Sequence, residues 1–362
     1  MERALYLILE NGMVFKGKSF GARGEATAEV VFTTGMTGYL ETLTDQGYHG
    51  QIVVQTFPLI GSYGVITSDF ESKQIGPTAY IVKKWCQSPS NFRCEGDIDT
   101  FLKSKNIVGL WDIDTRALTK AIREHGVMNG MITEHPEKAS LDAIRKHRTK
   151  QAVSHVSVLK PFTERSEKGA YHVALWDYGY KENIARELKL RGCDVTVCPH
   201  NISAEALLAL RPDGIVLSNG PGDPTENVEV IAALKSICQE KIPIFGICLG
   251  HQLLALANGC RISKLKYGHR GANQPVKNRE TGRIYISSQN HGYVVQSDSI
   301  HPAIAKELYV NVNDGTCEGI AYCNLPAFSV QFYPEACGGP HDTRFLFDQF
   351  ITMMETRKNA VR

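Results

Sequence analysis

The chain has 362 residues, which indicates two domains, because single domains cluster at about 100–200 residues. Hydrophobic residues make up 43% and charged residues 22%, which excludes a disordered, collagen-like or coiled-coil protein. The formal net charge of +2 provides no field that would attract a nucleic-acid backbone or a membrane surface, so we expect neither as a partner.

The first half of the chain is predicted to form strands followed by two helices. Strand patterns occupy residues 5–9, 28–33 and 52–56, and helices are predicted at 97–105 and near 115–125, where Asp114 or Thr115 can cap and Gly126 can end the helix. A polar segment at 156–170, which contains Pro161 and Gly169, predicts a linker. We therefore expect a smaller mixed β/α domain at 1–155.

After this linker, short apolar strands alternate with amphipathic helices. The strands are predicted at 172–176, 194–198, 214–218 and 243–247, and the helices near 181–191, 203–210 and 226–239. This alternation predicts an α/β domain at 171–362 with a central, mostly parallel sheet that is covered on both faces. Short strands dominate from residue 261 onward, and a last helix is predicted at 343–356.

The sequence also bears on compartment and cofactors. No apolar stretch approaches the ~20 residues that span a bilayer, and the first residues show no signal-peptide pattern, so we expect a cytoplasmic protein. The ten cysteines include no C-x-x-C pair, which favours reduced thiols over disulfides or a zinc site. No Walker-type loop occurs, so we expect neither a metal nor a nucleotide cofactor in this chain.

The segment Gly246–Gly250 (GICLG) follows a predicted buried strand and opens a helix. Small residues that flank a cysteine on such a turn are typical of a nucleophile elbow. A helix N-terminus lowers the pKa of a thiol placed there, and the next backbone N–H, on Leu249, points to where an oxyanion would form. We interpret Cys248 as a nucleophile, the alternative being a buried structural cysteine in a turn.

Three further clusters lie at or after predicted strands. Ser218–Pro224 (SNGPGDP) is a rigid loop whose backbone amides can approach a ligand closely, and Ser288–Tyr293 (SQNHGY) is a second candidate. Ser329–Ala336 (SVQFYPEA) places the carboxylate of Glu335 just after a strand, the usual setting of the group that orients a catalytic base. A cysteine hydrolase normally has a histidine near its nucleophile, whereas this segment offers Tyr333.

Together these motifs resemble the class I glutamine amidotransferases, in which a Cys–His–Glu triad releases ammonia from glutamine. In the first half, residues 32–45 (FTTGMTGYLETLTD), 57–64 (FPLIGSYG) and 114–126 (DTRALTKAIREHG) resemble the N-terminal domain of the small subunit of carbamoyl phosphate synthetase. Other class I amidotransferases lack that domain. The resemblance covers nearly the whole chain and implies a C-terminal class I amidotransferase domain behind an N-terminal domain that docks on a large subunit.

The resemblance implies a function and a partner. The chain would hydrolyse glutamine through a cysteine thioester and supply ammonia to the large subunit for carbamoyl phosphate synthesis, in the arginine pathway, the pyrimidine pathway or both. The two subunits would form a heterodimer, and ATP and Mg would be used by the large subunit alone.

The resemblance also implies roles for individual residues. Cys248 would be the nucleophile, Glu335 the carboxylate of the triad, and Gly222 and Leu249 the donors of the oxyanion-hole amides. Two positions depart from the family pattern: Tyr333 replaces the triad histidine, and Gly47 replaces a glutamine-contacting serine in a D-P-S-Y motif. The positions that would contact glutamine are Gly220, Gly222, Leu249, Gln252, Asn290, Gly292, Tyr293 and Gly47.

Tyr333 leaves the level of activity open. A phenol has a pKa of about 10 against about 6.5 for imidazole, so it is a poor base near neutrality, and losing general acid–base help costs ~10²–10⁴ in rate. The chain is a working glutaminase subunit, or the same subunit with impaired or lost glutaminase that serves as a structural and regulatory partner of an ammonia-dependent synthetase. A third interpretation, a free-standing binding module, is disfavoured by the N-terminal domain.

Overall fold

The computed structural model describes the backbone of residues 3–361 and the side chains of residues 3–360, and it divides into two compact units at 1–150 and 151–362. None of the helices in the described part of the chain combines the length and the apolar character that a membrane crossing requires.

The first unit is built from short strands and four short helices within its described residues. The helices are α1 (Tyr39–Thr44), α2 (Ile98–Ser104), α3 (Thr115–His125) and α4 (Leu141–Lys146). The strands are β1 (Ala4–Leu9), β2 (Val14–Gly21), β3 (Ala26–Thr33), β4 (Gln51–Gln55), β5 (Leu59–Ile60), β6 (Ala79–Ile81), β7 (Lys84–Trp85), β8 (Val108–Trp111) and β9 (Met128–Thr133).

A closed barrel in the order β1-β2-β8-β6-β4-β3-β9 forms the centre of this unit, and β5 pairs with β7 separately. Apolar residues of α1 and α2, such as Leu40 and Leu102, pack with Val31 and Val53 of the barrel strands. The two helices predicted in this half are confirmed. The Asp114 side chain caps α3 by accepting a hydrogen bond from the backbone N–H of Ala117 at 2.9 Å, and α3 ends before Gly126.

The second unit contains one large sheet and the remaining helices. The helices are α5 (Ala152–Val156), α6 (Glu182–Leu190), α7 (Ala204–Ala209), α8 (Val228–Gln239), α9 (Leu249–Ala257) and α10 (Phe345–Val361). The strands are β10 (Phe162–Glu164), β11 (Tyr171–Asp177), β12 (Cys193–Pro199), β13 (Gly214–Leu217), β14 (Ile244–Ile247), β15 (Ile262–Asn278), β16 (Ile284–Val295), β17 (Ala305–Asn311), β18 (Cys317–Tyr322) and β19 (Ala327–Val330).

These strands form a ten-stranded sheet in the order β10-β12-β11-β13-β14-β19-β18-β17-β15-β16. The segment from β12 to β19 is parallel, and the strands on either side of it pair antiparallel. Successive residues of β13 point to opposite faces: Ile215 packs with apolar residues of α7, α8 and α9, and Val216 with those of α6 and α10. Both faces are therefore covered, which confirms the predicted α/β fold class.

The predicted linker is the main difference between sequence and structure. The boundary between the units falls after residue 150, whereas the sequence places the first domain at 1–155 and a linker at 156–170. Residues 162–164 of that segment form β10, which pairs antiparallel with β12 at the edge of the large sheet. The predicted linker thus contains a three-residue edge strand, whose outer side faces solvent and does not need apolar residues.

Candidate active site

Cys248 lies on the turn between β14 and α9, as the elbow pattern predicts. Its φ of 52° and ψ of −102° are costly for a residue other than glycine, and such conformations cluster at active sites. The flanking glycines admit the turn because a Cβ on Gly250 would lie 2.3 Å from the carbonyl oxygen of Leu217, and one on Gly246 would lie 3.0 Å from that of Gly250. The Cys248 backbone N–H donates to the carbonyl of Val330 in β19 at 2.8 Å. The turn that carries Cys248 is thus fixed by β14, which it directly follows, and by the hydrogen bond to β19.

Polar groups from three elements surround the thiol of Cys248. Its Sγ lies 3.6 Å from the backbone carbonyl oxygen of Asn290 in β16, and the side-chain amide of Gln331 donates to Sγ at 3.5 Å. The amide of Gln252 in α9 donates to the side-chain oxygen of Gln331 and to the carbonyl of Tyr293, both at 2.9 Å. Of the predicted contact positions, Asn290 therefore contacts the Cys248 thiol directly, and Gln252 and Tyr293 are linked to it through Gln331.

Tyr333 reaches the same place from the loop after β19. Its hydroxyl donates to the Asn290 carbonyl at 3.1 Å, so the phenol and the Cys248 thiol both contact one oxygen atom. Its backbone N–H donates to the carbonyl of Ser288 at 2.9 Å, which ties the loop to β16. The position of the family histidine is thus beside the nucleophile, but it is filled by a buried phenol.

Glu335, the predicted triad carboxylate, forms an ion pair that the sequence did not predict. Its Oε1 lies 2.7 Å from Nζ of Lys181, and both side chains are almost fully buried. The same Nζ lies 3.4 Å from the centre of the Tyr333 ring. The side-chain amide of Asn183 donates to the backbone carbonyl of Glu335. Lys181 therefore pairs with the carboxylate of Glu335, and Asn183 fixes the backbone of the same residue.

Sequence reasoning missed Lys181 and Asn183 and did not single out Gln331. A signal for Lys181 was available, because the residue follows the carboxyl end of β11, the edge of a parallel sheet where ligands bind. Its pairing with Glu335 joins distant parts of the chain and is fixed only by the strand order of the sheet.

The loop after β13 lies against the start of α9. A Cβ on Gly220 would lie 2.3 Å from the carbonyl oxygen of Tyr178 and 2.8 Å from Cδ2 of Leu249, so only glycine fits there. Gly222 has a φ of +88°, a conformation that favours glycine. Glycine at position 220 lets the backbone of this loop approach the elbow closely, and glycine at position 222 allows the turn of the loop.

The other predicted contact positions lie in β16 and in the first unit. The hydroxyl of Tyr293 donates to Oδ2 of Asp223 at 3.2 Å, which links β16 to the loop after β13. Gly292 lies beside Arg270, since a Cβ there would be 3.3 Å from the guanidinium. Gly47 belongs to the first unit, in a 3₁₀ turn at Gln46–Tyr48, and its N–H donates to Asp45 Oδ1 at 2.8 Å.

One cluster has the residue types of a metal site. One ligand atom each of His269, His291 and Glu318 lies within 4.8 Å of the others, and all three residues are buried. His269 is paired with Glu318 at 3.3 Å and with Asp314 at 2.8 Å, and the amide of Gln289 donates to Glu318 at 3.0 Å. Burial alone would lower the pKa of His269, but the two carboxylates raise it. These contacts form a hydrogen-bond network that flanks Asn290 in β16.

Comparisons with known proteins cover both units. The family described as carbamoyl-phosphate synthase small chain, CPSase domain, matches residues 7–132, and the family described as glutamine amidotransferase class-I matches residues 174–353. The chain is 49% identical over 360 residues to the carbamoyl phosphate synthase small chain of Bacillus cereus (strain ATCC 10987), across 97% of this chain and 96% of the relative. The chain belongs to the carbamoyl phosphate synthase small-chain family.

A second relative supports this membership. The carbamoyl phosphate synthase small chain of Symbiobacterium thermophilum is 47% identical over 364 residues, across 98% of this chain and 99% of the relative. A solved glutamine amidotransferase from Thermotoga maritima covers 52% of this chain and 85% of its own, at 18% identity and a TM-score of 0.37, too low to add to the assignment. Membership in the small-chain family confirms the resemblance that the motifs predicted, and the class I amidotransferase match supports a glutamine-hydrolysing enzyme subunit.

Proposed function

We propose that this small chain hydrolyses glutamine through a thioester at Cys248 and supplies the ammonia to a large subunit for carbamoyl phosphate synthesis. The observation that carries the proposal is the elbow: a buried cysteine with φ of 52° at the N-terminus of α9, whose thiol contacts Asn290 and Gln331. A structural cysteine would not need this costly backbone conformation.

The reaction follows from this geometry in two steps. The Cys248 sulfur attacks the side-chain amide carbon of glutamine, so that a C–S bond forms, the C–N bond breaks and ammonia leaves with the proton of the thiol. Water then attacks the thioester, which releases glutamate and restores the thiol. The N–H groups of Leu249 and Gly222 are proposed to stabilise the negative oxygen in each step.

Most of the remaining proposed glutamine contacts fall into two groups in the second unit. Gly220 and Leu249 lie against each other near the elbow, and Asn290 and Tyr293 lie in β16. Gln252 connects the two groups through its bond to Tyr293, which supports a role in substrate binding. Gly292 and Gly47 complete the proposed set.

We propose the other properties from the small-chain resemblance. The first unit docks on the large subunit to form a heterodimer, the large subunit alone uses ATP and Mg, and the small chain carries no cofactor of its own. The complex works in the cytoplasm and serves the arginine pathway, the pyrimidine pathway or both.

A second candidate function is favoured by Tyr333. A phenol beside the thiol cannot take up a proton near neutrality and form the cation that stabilises a thiolate. The second candidate is therefore a small chain with impaired or lost glutaminase, which is a structural and regulatory partner of a large subunit that uses free ammonia.

Ammonia release and carbamoyl phosphate synthesis by the complex with its large subunit test the two candidates. For the first, glutamine supports synthesis by the native complex, Cys248→Ser abolishes ammonia release, and the exposed-cysteine control Cys323→Ser leaves it unchanged. For the second, only free ammonia supports synthesis. Undiminished ammonia release by Cys248→Ser would overturn the assignment of the nucleophile.

A further inference from the structure

Two imidazoles and a carboxylate from three different strands converge inside the second unit. Oε1 of Glu318 in β18 lies 3.3 Å from Nδ1 of His269 in β15 and 4.0 Å from Nε2 of His291 in β16. The ligand atoms of a tetrahedral zinc site lie about 3.3 Å apart, because each is bound at about 2.0–2.1 Å from the metal. The three side chains thus have both the atom types and nearly the spacing of zinc ligands.

The opposite nitrogen of each imidazole contacts an oxygen atom. Nε2 of His269 lies 2.8 Å from a carboxylate oxygen of Asp314, and Nδ1 of His291 lies 2.9 Å from the backbone carbonyl oxygen of Tyr293. Histidines that bind metals almost always donate their second ring N–H to a carboxylate or a backbone carbonyl in this way. These contacts leave Nδ1 of His269 and Nε2 of His291 as the nitrogens with lone pairs, and both belong to the convergent set.

The hydrogen bonds of His291 do not balance with protons alone. Its two ring nitrogens face two acceptors, the Tyr293 carbonyl at 2.9 Å and the side-chain oxygen of Gln289 at 3.1 Å. The amide nitrogen of Gln289 donates to Glu318 and Ser287, which fixes its oxygen toward the imidazole. Burial lowers the pKa of His291 well below its ordinary value, so the ring is neutral and carries one proton. In either tautomer one contact joins two acceptors, which a cation between them would satisfy.

The carboxylate of Glu318 also favours a bound cation. It is fully buried, and burial raises the pKa of this carboxyl group because its negative charge is costly inside the protein. The side-chain amides of Asn311 and Gln289 donate to its two oxygens at 2.9 and 3.0 Å, which orients the carboxylate. Buried charges are paired or bind metals. The half-exposed Asp314, in contact with His269, gives the cluster a path to solvent.

We propose that His269, His291 and Glu318 bind one zinc ion, with the side-chain oxygen of Gln289 as the fourth ligand. The ion joins β15, β16 and β18 and fixes the segment of β16 whose Asn290 carbonyl contacts the nucleophile. It is structural and takes no part in glutamine hydrolysis, so the inference goes beyond the proposed function. It departs from the sequence-based expectation of no metal because its ligands are far apart in sequence and meet only through strand pairing.

Zinc binding by the full chain tests the proposal. The chain is stripped with a chelator, mixed with zinc chloride and passed through gel filtration in metal-free buffer, and we expect one retained zinc ion and a raised midpoint of thermal unfolding. Cobalt(II) in place of zinc is expected to give the strong visible bands of a four-coordinate ion. The near-ultraviolet charge-transfer bands of thiolate ligation should be absent, which distinguishes this site from binding by the ten free cysteines.

Variants of the ligands locate the ion. His269→Gln and Glu318→Gln are each expected to weaken zinc binding by at least about 10-fold, the loss that removal of an outer hydrogen-bond partner alone can cause. The exposed-histidine variant His301→Gln is the matched control and should bind as the native chain does. Glu318→Gln keeps the shape of the side chain, so it answers the question if His269→Gln does not fold. No zinc retained by the native chain, or equal retention by the folded ligand variants, would overturn the proposal.

Discussion

Tyr333 and Cys248 share the backbone carbonyl of Asn290, at 3.1 Å from the hydroxyl and 3.6 Å from the sulfur. The Tyr333 hydroxyl donates to this carbonyl, and a phenol is too weakly basic near neutrality to take the proton of the thiol. The residue beside the nucleophile thus shapes the site without supplying the base that glutamine hydrolysis uses.

Tyr333→His is expected to raise kcat for ammonia release from glutamine by about 10²-fold, within the ~10²–10⁴ range of general acid–base catalysis. The measurement is the steady-state rate near pH 7.5 for the complex with its large subunit. Tyr333→Phe is the control, because it removes the hydroxyl and adds no base, and we expect no increase. A His variant no faster than the native protein would show that another group takes the proton.

The turn at Cys248 is expected to require glycine at position 250, because no space is left there for a side chain. A Cβ there would lie 2.3 Å from a backbone oxygen and 2.5 Å from Cβ of Leu217, so Gly250→Ala should lower the free energy of unfolding by about 1–3 kcal/mol through overpacking. Urea unfolding gives this value. Gly96→Ala, whose Cβ would meet no atom within 4 Å, is the control, and equal effects of the two variants would contradict the account.

At the scale of elements, local patterns predicted the parallel part of the second unit well. Strands β11 to β14 and the helices between them appear where the alternation of apolar and polar residues places them, and the elbow falls at Cys248. These features depend on near neighbours in sequence, which is why periodicity detects them.

Features set by distant pairing could not be predicted. The closure of the barrel depends on β1 pairing with β9, where Leu7 lies opposite Ile132, and no local pattern encodes that register. β10 is a three-residue edge strand within a largely polar segment, so that segment resembles a linker. The ion pair between Lys181 and Glu335 likewise follows from strand order.

Helix α9 carries a pH-sensitive contribution to stability at His251. The residue is fully buried, its Nδ1 lies 2.8 Å from Oγ of Ser329, and burial lowers the pKa of the imidazole to about 3. Because the folded pKa lies below the unfolded value of about 6.5, the contribution is complete above pH 6.5 and is lost as pH falls toward 3.

Replacing His251 by Gln is expected to remove this dependence. Between pH 6.5 and 3 the native chain should lose up to about 1.4 kcal/mol of unfolding free energy per pH unit from this group, and His251→Gln should lack that part of the slope. Urea unfolding across this pH range measures both. The exposed-histidine variant His301→Gln should keep the native slope, and an unchanged slope in His251→Gln would contradict the assignment.

At the scale of the whole molecule, the two units are proposed to divide assembly from chemistry. The small-chain family matches residues 7–132, and the class I amidotransferase family matches 174–353, which contains Cys248 and the thiol contacts Asn290 and Gln331. The first unit matches the small-chain family and not the amidotransferase family, which supports the proposal that it docks on the large subunit.

Loss of the nucleophile is therefore expected to leave assembly intact. A complex that contains Cys248→Ser should synthesise carbamoyl phosphate from free ammonia at the native rate and lose synthesis from glutamine, because the thiol takes part only in ammonia release. Parallel assays with the two nitrogen sources measure this. Loss of both activities would show that Cys248 also supports the structure of the complex.

Capture of the proposed thioester tests directly whether Cys248 is the nucleophile. The native complex is mixed with isotopically labelled glutamine, quenched in acid and digested, and the peptide that contains Cys248 is analysed by mass spectrometry. We predict a glutamyl group on Cys248 that is absent from the Cys248→Ser protein and turns over in proportion to ammonia release. Ammonia release in the native complex with no label on Cys248 at any quench time would contradict a thioester at Cys248.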